Sequence, residues 1–185
     1  MTRPDLVQQA LDFGFSHAGL LDPSTLRVRP EVRQMCAADL CRSYGRNWTC
    51  PPVSSNLTDN ARTAARYRSG LIVQTTAQLE DPYDYETMVS AGRQQTRRHA
   101  AFRDVLRQQY PDLIALGNGA CTICATCTYP DAPCRLPQLA IESMESFGLV
   151  VTEVCAANGL GYYYGENTIT YTGCYLLDLW ESPGR

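Results

Sequence analysis

Residues 70–79 read GLIVQTTAQL. The segment is rich in β-branched residues and is bounded by chain-breaking residues, so it predicts a β-strand. TITYTGCYLLDLW at residues 168–180 predicts a second long strand, and LVVTEVCAA at residues 149–157 predicts a third. The apolar stretch Ser16–Leu21 predicts a short strand near the N-terminus.

Helical segments alternate with these strands. Apolar spacing and helix punctuation predict helices over residues 4–13, about 56–67, 85–109 and 137–148. No Pro/Ser-rich linker and no internal repeat interrupts the alternation. The sequence therefore predicts one α/β domain over residues 1–185, in which helices flank a mixed sheet and two cysteine-rich loops lie between the elements.

Composition and charge narrow the class of protein. The chain has 185 residues and a formal net charge of -3, which argues against a nucleic-acid partner, since such a partner requires a basic surface. No apolar run approaches the roughly 18 residues that a membrane span needs. The N-terminal segment carries acidic residues and does not resemble a secretory signal. These features predict a cytoplasmic protein without a membrane partner.

Nine cysteines is a high number for such a chain. The number is odd, and a reducing compartment keeps thiols unpaired, so metal ligation is favoured over a disulfide framework. Seven of the nine fall in two short segments, which we call the first cysteine segment (residues 36–50) and the second cysteine segment (residues 121–134).

The second cysteine segment reads CTICATCTYPDAPC and carries Cys121, Cys124, Cys127 and Cys134. A continuous C-x2-C-x2-C run is typical of bacterial ferredoxins, in which three thiolates bind one cuboidal cluster. Structural zinc sites more often use two separated CxxC pairs. The spacing favours a [4Fe-4S] cluster on these four cysteines, with zinc as the alternative. Cys134 follows a longer gap than the ferredoxin pattern has.

The first cysteine segment carries Cys36, Cys41 and Cys50 in the spacing C-x4-C-x8-C-P-P. Three thiols within fifteen residues predict a second metal site. Gly45 permits a tight turn, and Arg46 and Asn47 offer hydrogen-bond donors to a sulfide or an anion, or simply to the loop itself.

Several other residues have an ordinary structural interpretation. Cys155 and Cys174 are predicted to be small buried hydrophobic residues, with a role as the missing fourth ligand of the first group as the alternative. His99 is predicted to be a surface or boundary residue. The remaining polar groups are predicted to lie on solvated helix faces, with partner docking or substrate contact as the alternatives: Arg93, Arg97, Arg98, Arg103, Arg107, Glu142, Ser143 and Glu145.

The pairing of CRSYGRNWTCPP with GNGACTICATCTYPDAPCRLPQLAIESMESFGLVV resembles DUF2284, a family of predicted metal-binding proteins from bacteria and archaea. The resemblance extends from about Val32 to Leu177. It implies a metal site, and it implies as ligands Cys36, Cys41, Cys50, Cys121, Cys124, Cys127 and Cys134. It implies no particular reaction.

Three functions are compatible with these patterns. The first is an iron-sulfur protein with two [4Fe-4S] clusters that acts in electron transfer or reduction, together with a redox partner protein or a small-molecule substrate. The second is an iron-sulfur oxidoreductase or lyase in which a three-cysteine cluster leaves one iron open as a Lewis acid for substrate. The third is an interaction module stabilised by zinc.

Overall fold

The computed structural model describes residues 3–178, which form five strands in one mixed sheet. The strands are β1 (His17–Leu21), β2 (Ser69–Gln78), β3 (Ile114–Gly117), β4 (Glu142–Ser143) and β5 (Thr168–Leu177). Their order across the sheet is β1-β2-β5-β3-β4. All neighbours are antiparallel except β3 and β4, which are parallel. The predicted α/β fold with a mixed sheet is confirmed.

Side chains alternate between the two faces of the sheet, as the pleat of a β-strand requires. On β2, Leu71 and Val73 enter one buried cluster, and Ile72 enters the other. On β5, Tyr175 faces the first of these clusters and Cys174 faces the second. The sheet is therefore covered on both faces, and the central strands β2 and β5 pair over their whole length.

Helices cover the two faces. The helices are α1 (Arg3–Asp12), α2 (Pro30–Ala37), α3 (Leu57–Arg66), α4 (Tyr85–Arg107), α5 (Met144–Phe147) and α6 (Val151–Ala157). The apolar sides of α1 and α4 bury Leu6, Phe102 and Leu106 on one face. α3, α5 and α6 cover the opposite face with smaller apolar contributions. Within residues 3–178, no helix is both long enough and apolar enough to cross a membrane.

Two predicted elements are wrong. The segment 149–157 is predicted to be a strand but forms α6, which buries Val154 and Cys155 on one side. A short apolar run of this kind does not distinguish a strand from a buried helix, so the β-branched residues were misleading. The segment 137–148 is predicted to be one helix, but it forms β4 and then the single turn α5. Helical structure begins only after Ser143, whose hydroxyl accepts a hydrogen bond from Ser146 N at 3.0 Å.

Two side chains of α4 are more buried than predicted. His99 is 1% exposed, so it is neither a surface nor a boundary residue. Its ring stacks on Tyr175 with centroids 4.4 Å apart, and Gly173 leaves the space, since a Cβ there would lie 2.7 Å from His99 Cδ2. Arg103 is 2% exposed and donates to Leu139 O at 2.8 Å. Arg93, Arg97 and Arg107 are exposed, as predicted for that face.

The predicted β5 strand extends to residue 180, and residues 179–180 lie outside the described part of the chain. The cysteine segments lie mainly in the two longest connections between elements, residues 38–56 and 118–141. The first begins in the last turn of α2 and precedes α3, and the second follows β3 and precedes β4. The sheet thus brings together two loops that are about seventy residues apart in sequence.

Candidate metal centre

The four thiols of the second cysteine segment share one cavity. Cys121, Cys124, Cys127 and Cys134 all line it. Its remaining wall includes Trp48 and Thr49, which belong to the first cysteine segment. Among residues 3–178, no three cysteine, histidine or carboxylate side chains are close enough together to hold a single metal ion. The thiols are arranged around a space.

The thiols of this cavity differ in their electrostatic surroundings. Burial raises the pKa of Cys121, and the neighbouring thiols at 134, 124 and 127 add to the rise. The pKa of Cys127 is lowered, chiefly because the backbone N–H of Tyr129 donates to its sulfur, with smaller contributions from the N–H groups of Trp48 and Thr128. Hydrogen bonds of this kind favour the thiolate, which is the form that binds metal.

Local backbone and side-chain hydrogen bonds hold the rest of the second segment. Ala132 N donates to Thr128 O at 2.9 Å, and Thr128 Oγ1 donates to Pro133 O at 2.9 Å. The Arg135 guanidinium donates to Thr126 O. Most side chains between residues 121 and 139 are exposed or half-buried, so this segment contributes little to the core.

The first cysteine segment begins inside α2 and then turns sharply. Cys36 is in the last turn of α2, Cys41 is exposed, and Cys50 is buried. Gly45 has φ +63°, and its N–H donates to Pro51 O at 2.8 Å, which confirms the predicted tight turn. The three thiols lie within electrostatic range of one another, because Cys36 and Cys41 each contribute to the raised pKa of Cys50.

Burial raises the pKa of Cys36 as well. The Glu145 carboxylate is the second cause of that rise and precedes Cys41, while the Arg33 charge acts in the opposite direction. The Glu145 carboxylate of α5 therefore lies within electrostatic range of Cys36. The sequence predicts that Glu145 lies on a solvated helix face, and no spacing pattern connects it with Cys36.

A polar network fastens the first segment to the core. The Arg33 guanidinium donates to Ser146 O at 2.5 Å and to Ser55 O, and it lies 3.6 Å from Glu142 Oε1. Glu142 also accepts hydrogen bonds from Ser55 Oγ at 2.5 Å and from Ser146 Oγ at 2.8 Å. The Ser146 hydroxyl is 2.9 Å from Thr49 O. The prediction that Glu142 and Ser143 lie on a solvated helix face is wrong: both are in β4, and Ser143 is buried.

The predicted donors Arg46 and Asn47 are engaged within the loop. Arg46 lies 3.4 Å from Asp39 Oδ2, and its side chain is 64% exposed. Asn47 is buried, and its Oδ1 accepts from Thr49 N and Thr49 Oγ1 at 3.1 and 2.9 Å. Asn47 and Thr49 also hydrogen-bond the Cys50 sulfur, which partly offsets the effect of burial on the pKa of that thiol.

The two cysteine segments contact each other directly. Cys121 N donates to Thr49 Oγ1 at 3.3 Å. Trp48 Nε1 donates to Ala132 O at 3.1 Å, and its ring meets Tyr129 edge to face with centroids 5.0 Å apart. Cys50 of the first group follows Thr49 in sequence, so it is adjacent to the wall of the second cavity. Trp48 and Thr49 were missed by sequence reasoning, since nothing in the pattern joins residue 49 to residue 121.

Cys155 and Cys174 lie in the core, as predicted, and both are 0% exposed. Cys155 accepts a hydrogen bond from Gln74 Nε2 at 3.5 Å. Cys174 is in the middle of β5, opposite Ile72 and Leu116. Burial raises the pKa of both thiols, and neither of them contributes to the raised pKa of Cys36 or of Cys50.

Two further spaces lie near the start of the second cysteine segment. A cavity of about 40 Å³ touches Cys121 and is lined by Thr96, His99 and Ile141, and the buried Nε2 of His99 has no hydrogen-bond partner in the described part of the chain. An open cleft of about 310 Å³ lies beside Glu145 and Tyr162. Tyr162 lines this cleft.

Comparison with known proteins identifies a family. The model of the family described as "Predicted metal-binding protein (DUF2284)" matches residues 19–177. Comparison with curated proteins and with solved structures found no match. Since the family model covers most of the sequence, including both cysteine segments, the chain belongs to the DUF2284 family of predicted metal-binding proteins.

Proposed function

We propose that this chain is a cytoplasmic iron-sulfur protein that carries two [4Fe-4S] clusters and transfers electrons to a partner protein or a small-molecule substrate. Cys36, Cys41 and Cys50 would hold one cluster. Cys121, Cys124, Cys127 and Cys134 would hold the other. The observation that carries the proposal is the contact between the two cysteine segments, because an electron relay requires neighbouring redox centres.

The donor set suits this cofactor. Thiolates are soft ligands that favour iron-sulfur clusters, zinc and copper(I), and the C-x2-C-x2-C run is the ferredoxin arrangement. Four thiols that surround a common cavity, without converging on one point, fit a group larger than a single ion. These two observations support the cluster over zinc.

The cofactor, when bound, would supply one-electron chemistry, and the protein would adjust its properties. Hydrogen bonds to sulfur and solvent exposure both influence the potential of such a cluster. The N–H groups of Tyr129, Trp48 and Thr128 donate to Cys127, whereas Cys50 is buried and receives side-chain donors. We therefore expect the two centres to have different reduction potentials.

A second candidate function is an enzyme in which one iron of the first cluster is open to substrate. It is favoured by the position of Cys155 and Cys174, which are in the core and leave the first group with three thiols. The cleft beside Glu145 offers room for a small molecule. An iron with an exchangeable ligand would act there as a Lewis acid.

Anaerobic purification followed by quantification of iron and acid-labile sulfide tests the proposal. We expect about eight irons and about eight sulfides per chain, as two [4Fe-4S] clusters require. A broad visible absorption that bleaches on reduction should accompany them. Stoichiometric zinc without sulfide, from cells grown with ample iron, would support the zinc-stabilised interaction module instead.

A further inference from the structure

We infer that a cleft lined by residues of α3, α4, β3 and β4 binds a small organic molecule through its phosphate group. The residues that line this cleft include none of the nine cysteines. The inference therefore goes beyond the proposed function and does not depend on the identity of the metal.

The cleft has the size of a site for a small molecule. It is open to solvent and has a volume of about 350 Å³, within the range of roughly 300–1,000 Å³ that is usual for ligand pockets. Asn60 and Thr63 of α3 line it, as do Arg103 and Arg107 of α4. Two helices and one edge of the sheet thus contribute to a single concave surface.

Two guanidinium groups lie side by side in this cleft. Arg103 and Arg107 are four residues apart on α4, so they lie on the same face of the helix. Arg103 Nη1 donates to Leu139 O at 2.8 Å, and Arg107 Nη1 donates to Gln138 O at 3.2 Å. Because these carbonyls belong to consecutive residues, the two guanidinium groups are held next to each other.

The positive charge of this pair is only partly compensated. Asp104 Oδ1 lies 2.8 Å from both Nε and Nη2 of Arg103, whose side chain is 2% exposed. Arg107, in contrast, forms no ion pair with any residue between 3 and 178. A guanidinium carries several N–H donors in a planar fork, and within the same residues Arg107 uses one of them. The cleft therefore offers both a positive charge and free hydrogen-bond donors.

The acidic residue of the cleft does not cancel this charge. Glu142 lines the cleft, but its carboxylate lies 3.6 Å from Arg33 and accepts hydrogen bonds from Ser55 Oγ at 2.5 Å and from Ser146 Oγ at 2.8 Å. Its charge is therefore balanced within the polar network that fastens the first cysteine segment, and the arginines of α4 remain available to an anion.

The lining of the cleft indicates the chemical class of the ligand. Guanidinium groups recognise phosphate oxygens through paired, charge-assisted hydrogen bonds, and the double negative charge of a phosphate monoester suits two adjacent guanidinium groups. Leu113, Ile114 and Phe147 add apolar surface to the same cleft. Free phosphate would leave that surface uncovered, whereas the organic part of a phosphate ester would cover it.

The test is isothermal titration calorimetry of the full chain with phenyl phosphate, inorganic phosphate and phenol. We expect saturable binding of phenyl phosphate, weaker binding of inorganic phosphate and no binding of phenol. Arg107→Gln should weaken the binding of phenyl phosphate by at least about tenfold, because it removes a charged hydrogen-bond donor. Thr63→Glu should also weaken it, because it adds a carboxylate to the cleft from α3.

Arg97→Gln is the matched control, since Arg97 is an exposed arginine of the same helix and does not line the cleft. It removes the same charge and should bind phenyl phosphate as the wild type does. The inference is overturned if the wild type does not bind phenyl phosphate, or if Arg107→Gln and Arg97→Gln weaken binding equally. Inorganic phosphate that binds as tightly as phenyl phosphate would overturn the assignment to an organic ligand.

Discussion

The second cysteine segment is held mainly by its own turns and by Trp48 and Thr49, whereas the first is fastened to the core by the Arg33–Glu142–Ser146 network. The second offers four thiols within fourteen residues. The first offers three thiols, of which Cys36 lies within electrostatic range of Glu145 in α5. The comparison teaches that one proposed metal site is nearly complete within its own loop, while the other depends on the tertiary structure.

The largest expected effect comes from breaking the second segment alone. Cys124→Ala should remove about four of about eight irons, because one [4Fe-4S] cluster loses a ligand. Residues 117–137 should then become sensitive to protease, since metal ligation couples to the order of such loops. The sheet should survive, and limited proteolysis with mass spectrometry identifies the cleavage sites.

Cys174→Ala is the matched control for that experiment. It removes a cysteine from the core and should leave the iron content unchanged, at a cost of about 1 kcal/mol in the free energy of unfolding. If Cys124→Ala keeps both its iron and its protease resistance, Cys124 is not a ligand.

Removing the Arg33 side chain, which links the first cysteine segment to the core, should have the next largest effect. Arg33→Gln leaves Glu142 and two backbone carbonyls without their charged partner at a site where both side chains are less than 20% exposed. We expect the free energy of unfolding to fall by about 3 kcal/mol, and iron to be lost first from the first cysteine group. Denaturant unfolding and iron analysis of the variant measure both quantities.

Arg29→Gln is the comparison for Arg33→Gln. Arg29 forms an exposed ion pair with Glu153 at 2.7 Å, and such pairs contribute about 0–1 kcal/mol. An equal loss of stability in the two variants would mean that the Arg33 network does not anchor the segment.

The pH dependence of the free energy of unfolding tests the burial of His99, which lies in the core and outside both cysteine segments. Burial lowers the pKa of His99 from 6.5 to about 3, so the folded protein keeps this imidazole neutral where the unfolded chain protonates it. Between these two values the unfolded state binds more protons, so the stability present above pH 6.5 is lost as the pH falls toward 3. The slope is about 1.4 kcal/mol per pH unit.

In the variant His99→Gln, the free energy of unfolding should lack this dependence on pH. The variant should keep its iron at neutral pH. The measurement is the free energy of unfolding of both proteins between pH 7 and pH 4. Parallel curves for wild type and variant would refute the assignment to His99.

The smallest effect is expected at the contact between the segments. Trp48→Phe keeps the aromatic contact with Tyr129 but removes the hydrogen bond to Ala132 O, which contributes about 1 kcal/mol. Exchange of backbone amides should accelerate in residues 129–135 and not in residues 36–47. Equal acceleration in both segments would mean that they are one cooperative unit.

Much of the fold could be predicted from local patterns. β2, α4 and β5 are long and strongly patterned, and the structure confirms them almost to their ends. The predictions of two short elements are wrong. The apolar run at 149–157 is compatible with either a strand or a helix. The helix predicted at 137–148 is interrupted because Glu142 pairs with Leu116 in the sheet.

The candidate site could be predicted only where its members are close in sequence. The spacing of the cysteines indicated two groups, because a ligand set in one loop leaves a local signature. The contact of Thr49 with Cys121 and the proximity of Glu145 to Cys36 join residues more than seventy positions apart. Such relations are produced by the sheet and its helices, so no local pattern carries them.

The central claim is that the chain holds two adjoining and unequal clusters, and paramagnetic resonance of the fully reduced protein tests it most directly. The spectra of the wild type, of Cys124→Ala and of Cys36→Ala are recorded under the same anaerobic conditions. If the clusters adjoin through Trp48, Thr49 and Cys50, magnetic interaction makes the wild-type spectrum differ from the sum of the two single-cluster spectra. A wild-type spectrum equal to that sum, or no signal from any of the three proteins, would contradict the account.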